Sequence, residues 1–112
     1  MLTLLQQKAL LQPVGRPGHI AIVSADGTPA ELDAIRTGEI DATVSQPADL
    51  YAKYALSYAQ AAAAGTVFKP GPTDHGSTII ALPNGLEDQL PAPLVTAENV
   101  DDPALWANNA GG

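Results

Sequence analysis

HIAIVSADGTPAELDAIRTGEIDATVSQ, from His19 to Gln46, is the stretch whose reading decides the fold. Its opening run, His19 to Ser24, is rich in Ile and Val and predicts a buried strand. Asp26-Gly27 predicts a turn, and a helix start follows. Thr28 suits the N-cap, Pro29 the first helical position, and Glu31 completes a capping box, because its carboxylate can reach back to the N-cap amide. Leu32 and Ile35 share one face, Glu31, Asp33 and Arg36 stay wet, and Gly38 ends the helix as a left-handed cap. A second strand, Asp41 to Ser45, closes at Gln46-Pro47. Strand, short helix and strand make a βαβ unit, so the fold class is α/β with parallel strands.

That unit carries a functional expectation. Parallel neighbours end on the same edge of a sheet, and open α/β sheets bind ligands outside that edge. Asp26 follows the first strand and Gln46 ends the second, so both converge on one crevice if the strands are adjacent, about 5 Å apart. A carboxylate accepts from neighbouring hydroxyls and a carboxamide both donates and accepts, which is what a polyol requires. The competing reading is that Asp26 only stabilises its turn and Gln46 only ends a strand.

The D-G-T-P run, the helix with its acidic and basic face, the glycine and A-T-V-S-Q resemble the C-terminal part of the ribose- and galactose-type periplasmic sugar-binding proteins of bacterial ABC importers. The resemblance extends to PLVTAENVDD, residues 93 to 102, and covers roughly residues 18 to 102. Effector domains of lac-repressor-type regulators share that fold. The resemblance implies that Asp26 and Gln46 hydrogen-bond sugar hydroxyls. It also implies that the chain crosses between lobes near Gln46 and that the complete protein presents closed, sugar-loaded lobes to a membrane permease.

Composition narrows the classes. The 112 residues allow one domain. A formal charge of −7 argues against nucleic acid, whose phosphates require Lys and Arg, and against an anionic membrane surface. Without cysteine there is no disulfide framework or thiolate site. No apolar run reaches the length of a membrane span, and the first residues lack the basic start and unbroken apolar core of a secretory signal. MLTLLQQKALLQ instead predicts a helix with Leu4, Leu5 and Leu11 on its apolar side, followed by a turn-rich connection from Gln12 to Gly18. The chain is therefore expected to be a C-terminal piece: extracytoplasmic by resemblance, cytoplasmic if expressed as written, and unable as written to bind sugar appreciably or to fold as a stable monomer.

After Gln46 a long helix is predicted from Pro47 to Ala64, stopped by Gly65, with Tyr51, Tyr54 and Tyr58 as packing residues. From Pro70 the composition shifts: six of the ten prolines lie between residues 70 and 103, and no Lys or Arg follows Lys69. The expected path is irregular there, interrupted by β-like runs at Ser77 to Leu82 and around Leu94 to Thr96, with a turn at Asn84-Gly85. Asp101 or Asp102 suits a cap for a last turn, and Trp106 is read as pinning the tail to a core in preference to stacking on a sugar.

Enzyme motifs are weak. Thr73-Asp74-His75-Gly76-Ser77 gathers Asp, His and Ser, but triad members act through space from separate elements. No nucleophile elbow, P-loop or dinucleotide fingerprint occurs, and two histidines without cysteine do not suggest zinc. Glu87-Asp88 and Asp101-Asp102 read as solvated charge. The expectation is thus a non-enzymatic, cofactor-free sugar-binding segment. Residues 1–46 would form part of a second lobe, residues 47–102 a hinge crossing with the long helix and a return segment, and residues 103–112 an unmatched tail. The alternatives are the effector-binding segment of a lac-repressor-type regulator and a small acidic interaction module.

Overall fold

The structure is a computed structural model and describes residues 11–110. The leucine helix expected at the amino terminus, with Leu4 and Leu5, lies outside the described residues. The described residues divide into two compact units, 11–46 with 93–110, and 47–92.

The first unit is built on β1 (Val23–Asp26), α1 (Pro29–Arg36), β2 (Ala42–Ser45) and β6 (Leu94–Thr96). β1 and β2 are parallel neighbours, with Val23 opposite Ala42 and Asp26 opposite Ser45, and β6 joins the other side of β2 antiparallel. α1 starts as its sequence dictates. The Thr28 side chain accepts from the Glu31 amide at 3.3 Å, the Glu31 carboxylate accepts from the Thr28 amide at 2.7 Å, and Pro29 opens the helix. Its inner face, Leu32, Ala34 and Ile35, packs with Ile22, Ile40, Val95, Val100 and Leu105 into one apolar core. Leu32 and Val95 are wholly buried, each stabilising by about 1.5–3 kcal/mol relative to exposure.

β1 departs from the expected buried His19–Ser24 run in place and in burial, since it spans Val23–Asp26 and Val23 is 62 % exposed. Just upstream the Ile22 carbonyl still accepts from the Asp41 amide at 3.0 Å, but the Ile22 amide donates to Asp41 Oδ2 at 2.8 Å, and the His19 ring bridges the Gln12 carbonyl and the Asp41 carboxylate. Asp26 consequently ends the strand instead of following it. The chain returns to the first unit at Pro93, and its tail reaches the core of that unit through Leu105 and Ala107. Leu105 and Ala107 are buried and Trp106 packs against the core, while Asp102 accepts from the Ala104 amide at 2.8 Å in the turn that leads into the closing 3-10 turn, Trp106–Asn108. Arg36 fastens α1 to this tail through Asp101, Asn108 and the Val100 carbonyl.

The second unit holds α2 (Ala48–Ala63) and the antiparallel strands β3 (Gly71–Pro72), β4 (Thr78–Leu82) and β5 (Gly85–Gln89), in the order β3-β4-β5. The stretch after Pro70 is therefore not irregular. Leu82 pairs with Gly85, so Pro83 and Asn84 form the hairpin loop and Gly85, at φ +147°, opens β5. Tyr54 and Tyr58 on α2 are half-buried by partners of this same unit, whereas Tyr51 remains 40 % exposed. Among the described residues no helix is long and apolar enough to cross a membrane.

Candidate functional site

The two residues singled out from sequence end neighbouring parallel strands. Asp26 closes β1, Gln46 follows β2, and the Gln46 amide donates to the Asp26 carbonyl at 2.9 Å. The local chain achieves this by a sharp departure from β geometry. Asp26 is the one non-glycine residue with positive φ among those described, at +113°, a conformation that costs a side-chain-bearing residue about 1–3 kcal/mol. Gly27 continues at φ +68° and is buried. A Cβ there would stand 2.6 Å from Ser45 Cα, so only glycine lets this turn approach β2 so closely. Thr28 then starts α1, which places the helix amino terminus at the same strand edge. On the far side of β2, the Ser45 amide donates to the Pro93 carbonyl at 2.9 Å. Four chain segments thus meet at the carboxyl end of the parallel pair, with the Asp26 side exposed and Gln46 half-buried.

A second polar constellation, in the second unit, was not assembled from sequence. The His75 ring stacks on Tyr54 with centroids 3.8 Å apart and planes inclined 16°. Its Nδ1 faces Asp74 Oδ1 at 2.9 Å and its Nε2 faces Asp88 Oδ2, also at 2.9 Å. The Tyr58 hydroxyl donates to that same Asp88 oxygen at 2.8 Å, and the Tyr58 ring meets Phe68 edge-on. Asp88 is only 9 % exposed, which corrects its reading as solvated charge. Burial raises the Asp88 carboxyl, but its polar neighbours Ser77, His75 and Tyr58 more than offset this and leave it below the ordinary range. Asp88, then Asp74, raise the His75 imidazole. Burial, reinforced by Asp88, pushes the Tyr58 phenol up to about 12.

This arrangement does not form a hydrolytic relay. Both ring nitrogens of His75 face carboxylates, and the Ser77 hydroxyl pairs with that of Thr73 at 2.8 Å, closing the turn on itself. Within β5 only Asp88 is turned partly inward, and Leu86 is 47 % exposed, so the strand carries no apolar alternation that would have found the site from sequence. Beside the ring, Tyr54, Tyr58, Phe68, Thr73, Asp74 and His75 line a cleft of about 410 Å³. No group of three or more His, Cys, Asp or Glu among the described residues is arranged to hold a metal ion. The sequence matches no family model and is not significantly similar to any curated protein.

Proposed function

We propose that this chain is the sugar-contacting C-terminal segment of a two-lobed solute-binding protein for ABC-type carbohydrate import, a partial periplasmic-binding-protein fold that makes and breaks no bonds. The observation that carries the reading is the pairing of Asp26 with Gln46 across the carboxyl ends of adjacent parallel strands. The strained backbone at Asp26 supports it, since strain of this kind is retained where a residue must be aimed. The division of the chain supports it further: it leaves the first unit after Gln46 and re-enters at Pro93, as a segment crossing between two lobes would. In this reading the carboxylate of Asp26 accepts from a pair of sugar hydroxyls and the Gln46 side-chain carboxamide fixes a third. The complete protein, extracytoplasmic, would deliver the sugar to a membrane permease.

The test is a titration of the labelled 112-residue chain with ribose-like and galactose-like monosaccharides, followed by amide NMR. As half of a site, the chain should bind with a dissociation constant of about 1 mM or weaker, equivalent to roughly 4 kcal/mol at most. Saturable shifts should be confined to Asp26, Gly27, Thr28, Ser45 and Gln46, and should fall away in Asp26→Ala and Gln46→Ala but not in the control Glu98→Ala. Saturable shifts at other residues with none at that edge, or affinities in both variants equal to the parent, would overturn the assignment.

A further inference from the structure

The second unit contains a feature that sugar binding does not use, the His75 ring held between two carboxylates of opposite exposure. Asp74 belongs to the Thr73–Ser77 turn and its side chain is fully exposed, whereas Asp88 belongs to β5 and is 9 % exposed. A carboxylate only accepts, so both nitrogens can be satisfied at once only while the ring carries two N–H groups. The groups facing His75 are Asp74 with Thr73 and Ser77 from the turn, Asp88 from β5, and Tyr54 and Tyr58 from α2. The Lys53 ammonium, 5.1 Å from the Tyr54 ring centroid, is the cation nearby.

We propose that His75 is a proton-operated latch at the mouth of the aromatic cleft: as an imidazolium it holds both Asp74 and Asp88, and on losing a proton it keeps Asp88 and releases Asp74. The asymmetry follows from burial. A lone pair turned on the buried Asp88 oxygen would meet a charge that water cannot screen, while one turned on exposed Asp74 is relieved when that side chain rotates into solvent. The neutral ring therefore keeps its hydrogen on Nε2. The stacked Tyr54 face favours the imidazolium, because an aromatic face attracts a cation above it. Asp74 lines the cleft, so its release alters the cleft mouth.

Ring-nitrogen and amide NMR of the 112-residue chain, from about pH 5 to 9, tests this across the range where histidine titrates. The His75 midpoint should lie above its ordinary value of 6.5, the neutral form should be the Nε2–H tautomer, and amides from Thr73 to Ser77 should move with the same midpoint. In Asp74→Asn the carboxamide can donate to neutral Nδ1, so the amide movement should shrink while the tautomer persists. In Asp88→Asn the midpoint should fall by about one pH unit or more, and the tautomer preference should be lost. A neutral Nδ1–H tautomer, or turn amides that ignore the ring's titration, would overturn the latch. If Asp88→Asn loses its fold by circular dichroism, the parent tautomer and Asp74→Asn still decide the matter.

Discussion

Gly27 lies so close to Ser45 that a methyl group on it would stand 2.6 Å from the Ser45 Cα and 2.7 Å from its Oγ. Because one of these atoms is backbone, no rotamer change can relieve the clash, and φ at Gly27 is already +68°. Gly27→Ala should therefore destabilise the first unit by about 3 kcal/mol, combining overpacking with left-handed strain. Urea unfolding followed by emission of Trp106, the only tryptophan, measures this. An unchanged midpoint would mean that the turn has room to move.

The His19–Asp41 pair predicts a pH profile for the same unit. The Gln12 carbonyl and then Asp41 raise His19, so its contribution is complete below about pH 6.5 and is lost as pH rises through the folded value. The Ile22 amide and then His19 lower Asp41, so that contribution is complete above about pH 4 and is lost as pH falls through its folded value. From this pair, stability should peak between those limits and decline through neutrality. His19→Gln should flatten the alkaline decline in a series of Trp106-detected urea titrations.

Arg36 donates to Asp33, Asp101, Asn108 and the Val100 carbonyl, yet it and its carboxylate partners are substantially exposed. Arg36→Gln should lower the urea midpoint only slightly, because ion pairs this exposed contribute little. Much of the loss should vanish at roughly 1 M salt, where the screening length is about 3 Å. A loss independent of salt would assign the stabilisation to the neutral contacts with Asn108 and Val100.

Tyr58→Phe removes the phenol donor to Asp88 Oδ2 and leaves this buried carboxylate with fewer polar neighbours. The expected destabilisation is about 1–2 kcal/mol, read from far-ultraviolet dichroism in urea. The parent should also show a phenol ionising only near pH 12, and the variant should lack that phase in an alkaline absorbance titration.

Much of the first unit was legible because its signals are local. Thr28, Pro29 and Glu31 specify a helix start by hydrogen bonds within four residues, and Gly38 marks where the helix stops, at φ +74°. The expected adjacency of Asp26 and Gln46 followed from two strands with one short helix between them. The strand limits did not, because an Asp41 side chain many residues away takes the Ile22 amide that a ladder would have used. β5 escaped for a related reason. Gly85 to Gln89 looks like solvated loop until His75 and Tyr58, from a turn and a helix, arrive to satisfy Asp88. Nothing near Asp88 in sequence announces those partners. Trp106 was placed correctly on a core, but its tail contributes Leu105 and Ala107 to that core, which only the tertiary packing reveals.

The antiparallel pairing of β6 with β2 has a kinetic consequence. Thr43 lies opposite Val95, so the central strand cannot acquire its second neighbour until the intervening residues have looped back. For a flexible loop, that closure penalty grows only as the logarithm of length, about 0.6 kcal/mol per doubling, but it must be met before the contact rewards it. If residues 47–92 collapse into their own helix and hairpin first, the loop to be closed becomes effectively shorter, and docking of β6 is accelerated. Folding of the first unit should then become slower when the β4–β5 hairpin is weakened, even though none of the hairpin's residues contributes to the first unit's core.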